Sequence, residues 1–176
     1  MFEEYLQDSH KFLVKARDAS KTSNDREARC YYRASVFYAA GAMEAFVNYI
    51  ADSFAKAGSL TPLETAFLSD KALTFEKGKL VDKVEFHRLD DKLRLLIRKF
   101  VPSFSFGSVP WSGLMEFKDF RDSLVHPRQI EDETKIADYE NKVTSGLSAI
   151  IEIMNCISKG IFKKPLRNQL LDLIPE

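Results

Sequence analysis

The sequence predicts an all-α protein, an up-and-down bundle of four to five main helices with short accessory helices. Three observations lead there. Glycine and proline are scarce, 7 and 6 of 176 residues. Apolar residues in the longest runs recur at helical spacing rather than in alternation. Helix-start signals also stand at the heads of two such runs, Asn24 with Glu27 and Thr61-Pro62 with Glu64.

The first helix follows from Phe2, Tyr5, Leu6, Phe12, Leu13 and Ala16, which share one face, and it ends in the polar stretch SKTSND. Asn24 then caps a long helix through CYYRASVFYAAGAMEAFVNYIADSFAKA, with Gly58 as its C-terminal cap. Thr61, Pro62 and Glu64 open the next helix. The segment LSDKALTFEKGKLVDK that follows reads as a short helix plus a loop, and DDKLRLLIRKF as a helix stopped by Pro102. PSFSFGSVPWSG has loop composition, and Ser112 is the expected cap of the helix after it, which Pro127 ends. A final long helix covers roughly residues 134 to 159, followed by a short amphipathic tail, LRNQLLDLI. No repeat, low-complexity tract or linker divides the chain, so residues 1–176 are read as one domain, long enough to bury a core.

Composition narrows the function classes. A hydrophobic fraction of 45% and a charged fraction of 30% argue against disorder. Zero net charge argues against a protein that coats nucleic acid non-specifically, while leaving room for a local basic groove. Cys30 and Cys156 lack metal-ligand spacing and lie among apolar residues, so both are expected to be small buried hydrophobes with no disulfide between them. The N-terminus lacks the basic and apolar regions of a signal peptide, and no apolar run is long enough to span a membrane. The chain is therefore expected to be cytoplasmic. No Gly-rich phosphate loop, serine nucleophile elbow or HExxH motif is present, and no metal or cofactor is expected.

The chemistry concentrates in FRDSLVHPR, residues 120 to 128. On a wheel of about 100° per residue, Leu114, Phe117, Phe120, Leu124 and Val125 share an arc of about 140°, and Arg121 falls inside it. An arginine there must snorkel, find a carboxylate or face a partner chain. Asp122 and His126 are spaced i, i+4, so the carboxylate can orient the imidazole and favour its charged form. A histidine at a helix C-terminus also serves simply to complement the helix dipole, without any catalysis. Arg121 and His126 diverge by about 140° on one helix. Glu44, within AAGAMEAFV, is expected to be a buried carboxylate in need of a partner, and Arg121 is a candidate. Trp111, Phe104 and Phe106 are read as tacking the loop to the bundle, with base stacking the alternative. His10 and His87 are read as solvated surface residues. The basic group Lys159, Lys163, Lys164 and Arg167 is either a charged helix end or a set of phosphate contacts.

RDSLVH resembles the motif of the HEPN superfamily of helical-bundle domains: an arginine, four to six residues, then histidine, with a polar residue often following the arginine. The order of the helix YYRASVFYAAGAMEAFVNYI, the helix DDKLRLLIRKF and the closing His-Pro is similar too, over most of residues 24 to 160. That resemblance implies a metal-independent endoribonuclease of toxin or defence type, working on RNA with two motifs meeting across a homodimer. Arg121 would stabilise the phosphorane, His126 act as general acid or base, and Asp122 orient it. Glu44, on the residues' own pattern, would support the site by fixing the orientation of Arg121. The resemblance equally implies a rival: a non-catalytic binding or scaffolding module partnering an antitoxin, a nucleotidyltransferase or another protein. A third alternative is a four-helix interaction protein in which RDSLVH is coincidental.

Overall fold

The computed structural model describes residues 1–126 and 134–175. Pro127, expected to stop the motif helix, lies outside the described residues. In chain order the elements are α1 (Phe2–Lys21), α2 (Asp25–Ala57), α3 (Pro62–Leu68), β1 (Lys71–Glu76), β2 (Lys79–Val84), α4 (Leu89–Phe100), α5 (Val109–Val125), α6 (Ile136–Phe162) and α7 (Asn168–Leu171). The all-α expectation holds for the body of the protein. The caps hold as well: the Asn24 carboxamide accepts from the Glu27 amide at 3.3 Å, Thr61 and Glu64 form a full capping box, and Gly58 takes φ of +66°.

The first two helices form an αα-hairpin, closed by a three-residue turn in which Ser23 is left-handed. Their seam holds a polar pair that the apolar pattern did not mark. Ser9 and Ser35 are both fully buried, and each hydroxyl donates to the other's backbone carbonyl, at 2.9 and 2.8 Å. Two small residues allow close approach, and the reciprocal bonds leave neither hydroxyl unsatisfied. α6 completes the core against α2 and α5, contributing Tyr139, Val143, Leu147, Ile150, Ile153, Met154 and Ile157. Tyr139 meets Phe120 of α5 edge-on at 5.3 Å. Near its end, α6 passes the end of α4 at Gly160, where an added Cβ would lie 2.6 Å from the Phe100 carbonyl oxygen.

Two elements depart from the sequence expectation. Residues 71–84 form an antiparallel β-hairpin, not a short helix and loop, with Glu76 opposite Lys79. Leu73, Phe75, Leu80 and Val84 alternate along its two strands, and Lys77 and Gly78 both take positive φ, as a two-residue hairpin turn requires. Lys-Gly is a weaker turn signal than Asn-Gly, which is why a helical reading competed. α5 begins at Val109, so Ser108 occupies its N-cap position and Ser112 lies inside the helix. Proline at the second helical position is pre-set for a helix start. The tail is short, as expected, with one helical turn in α7 that buries Leu170.

The cysteines depart too. Cys30 is exposed and Cys156 half-buried, and both are free thiols. The loop aromatics do tack the loop down: Trp111 is buried, Phe106 meets it edge-on at 4.9 Å, and the Arg94 guanidinium covers it at 4.6 Å. No helix among the described residues is long and apolar enough to cross a membrane.

Gly160→Ala decides between two opposed effects. Alanine should stabilise a helix interior by about 1 kcal/mol. The methyl group meets backbone that cannot step aside, which costs about 1–3 kcal/mol. A fall in Tm of several degrees, followed by circular dichroism, is expected. An unchanged or raised Tm would show that α4 and α6 are not held this close.

Candidate functional site

A cleft of about 570 Å3 opens between α2, α5 and the junction of β2 with α4. Its floor is Glu44, Val47 and Asn48 of α2. One wall is Lys118, Arg121 and Asp122, half-buried positions one turn apart on α5. The other wall is Phe86, His87 and Arg88 with Leu89 and Lys92 of α4, set above Asp70.

The second wall is held by Asp70. This residue follows α3 and has φ of +55°, a left-handed conformation that aspartate tolerates better than most residues. Its carbonyl accepts from the Glu85 amide at 2.9 Å. One carboxylate oxygen accepts from the His87 amide at 2.8 Å and the other from the Lys92 ammonium at 2.6 Å. Lys92 is only 7% exposed, so this ion pair is what allows its charge to be buried. Burial works against ionisation of Asp70, yet the His87 amide and Lys92 outweigh it and hold the carboxyl below the usual range. The His87 ring, its backbone thus fixed, stacks on Phe67 at 4.2 Å.

The first wall contains the motif. Arg121, 27% exposed, reaches the cleft mouth with its Nε 3.3 Å from Asp122 Oδ1. The other oxygen of Asp122 lies 3.5 Å from the Lys118 ammonium, one turn earlier. Two cations therefore share one carboxylate, at long distances, and the wall retains a surplus of positive charge.

Arg121, Asp122 and Glu44 are brought to one cleft; His126 is not. Glu44 proves to be exposed, with no ion pair among the described residues. The stretch around it looked apolar on every side because Ala40, Gly41 and Ala45 have little side chain to bury. The buried stripe of α2 runs instead through Tyr32, Val36, Ala39, Met43, Phe46 and Ile50. The cation nearest in sequence logic, Arg121, takes its neighbour Asp122 as partner. His126 is exposed at the C-cap of α5, at φ −122° and ψ 67°, where the chain has left the helix. Its amide donates to the Asp122 carbonyl at 2.9 Å, but the expected carboxylate–imidazole bond is not formed among the described residues. Once the chain leaves helical geometry, i, i+4 spacing no longer aligns the two side chains.

The sequence reading missed Asp70, His87, Arg88, Lys92 and Lys118. His10 and His87, expected to be solvated, are half-buried. Only Lys118 carried a local signal, its i, i+4 spacing to Asp122. The others depend on the hairpin that returns the chain beside Asp70. A larger cleft, about 820 Å3, lies near the N-terminus and shares Glu44 and Asn48, but there Arg167 and Glu3 engage each other at 3.2 Å. Among the described residues no group of three or more His, Cys, Asp or Glu has the arrangement of a metal site. Comparison with protein-family models, curated proteins and solved structures finds no significant match for this chain.

Asp70→Asn keeps a residue that accepts the left-handed conformation and removes the charge that neutralises Lys92. A loss of about 1–3 kcal/mol at pH 7 is expected in urea unfolding. Because the folded carboxyl titrates below its unfolded value, the Asp70 contribution is complete above the unfolded value and is lost as pH falls through the folded one. The gap between wild type and variant should therefore close below about pH 4. A gap that stays constant from pH 7 to pH 3 would contradict the ion-pair account.

Proposed function

We propose that this protein is a metal-independent endoribonuclease of HEPN type, with a site completed across a homodimer. The observation that carries the reading is Arg121. It is neither buried among the apolar residues that surround it in sequence nor consumed by Glu44; it stands at the mouth of a cleft with Lys118 beside it. A planar guanidinium there suits the oxygens of a phosphodiester and the extra charge of its phosphorane. In the reaction, O2′ bonds to phosphorus as its proton leaves, and the P–O5′ bond breaks as O5′ takes up a proton. His126 is the group for those transfers, since one imidazole nitrogen can accept a proton and the other donate one. It stands at the C-cap, past the last helical residue of α5 and outside the lining of its own chain's cleft. That position makes it unsuited to its own chain's cleft and free to reach that of a two-fold partner.

The rival reading, a non-catalytic binding or scaffolding module that partners a nucleotidyltransferase or another protein, draws on one specific observation. Asp122, which should orient His126, is turned towards Lys118 and Arg121 instead.

Cleavage of RNA in EDTA by wild type, Arg121→Ala and His126→Ala separates the two, with folding checked by circular dichroism. The ribonuclease reading expects a loss of at least about 100-fold in each variant. It further expects partial recovery when the two inactive variants are mixed, because a heterodimer regains one intact Arg121–His126 pair. Equal activity in all three proteins would sink the catalytic assignment. Losses without recovery on mixing would remove the composite site.

A further inference from the structure

The cleft carries one feature that cleavage chemistry does not call for. Phe86, at its mouth, is 86% exposed. Phe75, Leu80 and Val84 of the hairpin are exposed too, but none of them lines the cleft. Phe86 directly precedes His87, whose amide and ring are both fixed, so the backbone beneath Phe86 is held by the Asp70 clamp. Across the cleft stand Lys118 and Arg121 with only Asp122 between them, and Arg88 follows on the same side as Phe86 with its side chain 68% exposed.

We propose that this cleft is a binding subsite for an unpaired RNA strand, with Lys118 and Arg121 gripping one phosphate and Phe86 stacking on an adjacent base. The assignment rests on the ribonuclease reading for the choice of RNA. Its physical basis is the pairing of a π-face with neighbouring cations, which is how single strands are held without sequence readout. Glu44 opposes it: an exposed carboxylate on the cleft floor repels a phosphate entering between the walls. The cleft therefore binds weakly for its size, and removing that charge improves it. An acidic, apolar peptide would also meet the cations, but it brings no base to stack on the exposed face of Phe86, and its own carboxylates would meet Glu44 equally.

The test is fluorescence anisotropy of a 5′-labelled single-stranded RNA decamer of mixed A and U, with the full chain carrying His126→Ala to prevent cleavage. Added to that background, Phe86→Ala should weaken binding about tenfold and Phe86→Trp should preserve it. Lys118→Ala should weaken binding and lower the salt dependence by about one released counterion. Glu44→Gln should tighten binding several-fold, a gain that misfolding cannot produce. Unlabelled duplex RNA should compete poorly, since its bases are already stacked. No measurable RNA binding, unchanged affinity in Phe86→Ala and Glu44→Gln, or equal competition by duplex overturns the subsite. Cleavage by wild type with unchanged affinity in Phe86→Ala removes the subsite and leaves the ribonuclease reading. Binding that responds as expected, with no cleavage by wild type, retires that reading and leaves the subsite.

Discussion

The carboxylate of Asp70 is the constraint on which the functional face depends. A two-stranded hairpin is marginal by itself in water, and this one exposes Phe75, Leu80 and Val84. Apart from its link to α3, the hairpin is held to the bundle chiefly where Asp70 meets the chain on its return. Its carboxylate there satisfies the His87 amide and neutralises the buried Lys92, while its backbone carbonyl accepts from the Glu85 amide. Two residues of the cleft wall, His87 and Lys92, are thereby placed by one aspartate, with Glu85 held just before them. Deleting that aspartate would leave an ammonium buried without a counter-charge, which is far costlier than losing an exposed ion pair.

The opposite wall follows a different logic. α5 buries Trp111, Leu114, Phe117 and Phe120 against the core, and its polar positions Lys118, Arg121 and Asp122 are left at the boundary between core and solvent. Arg121 solves its conflict with the apolar stripe by lying along that boundary and turning its head to Asp122. The long, shared contacts of Asp122 leave the cations available to an incoming anion. Glu44 on the floor limits how strongly the cleft attracts one. Both charges of the predicted pair are thus present in one cleft, with roles the sequence could not assign.

What the sequence made legible was local. The caps at Asn24 and Thr61, the left-handed Gly58 and the apolar faces of the first, second and last long helices all act within a few residues of themselves. The hairpin was not legible because Lys-Gly is a modest turn signal and its strands, with no fully buried residue, carry little compositional pressure. With the hairpin unread, Asp70, His87 and Lys92 could not be brought together, since they converge only when the chain doubles back. Ser9 and Ser35 were hidden for a related reason: two hydroxyls that satisfy each other look like surface residues in one dimension. Arg121 was the exception, conspicuous by its place on the wheel, and it is the residue that led to the cleft. His126 shows the limit of that method, because the wheel assumes a helix that has already ended there.

The most direct measurement is a two-dimensional 1H–15N NMR titration of the His126→Ala protein with the unlabelled single-stranded decamer. Shift changes should concentrate at Phe86, His87, Lys118, Arg121 and Asn48, around one cleft. Changes centred instead on Tyr49, Phe162 and Arg167 at the larger cleft, or none at saturating RNA, would contradict the RNA subsite.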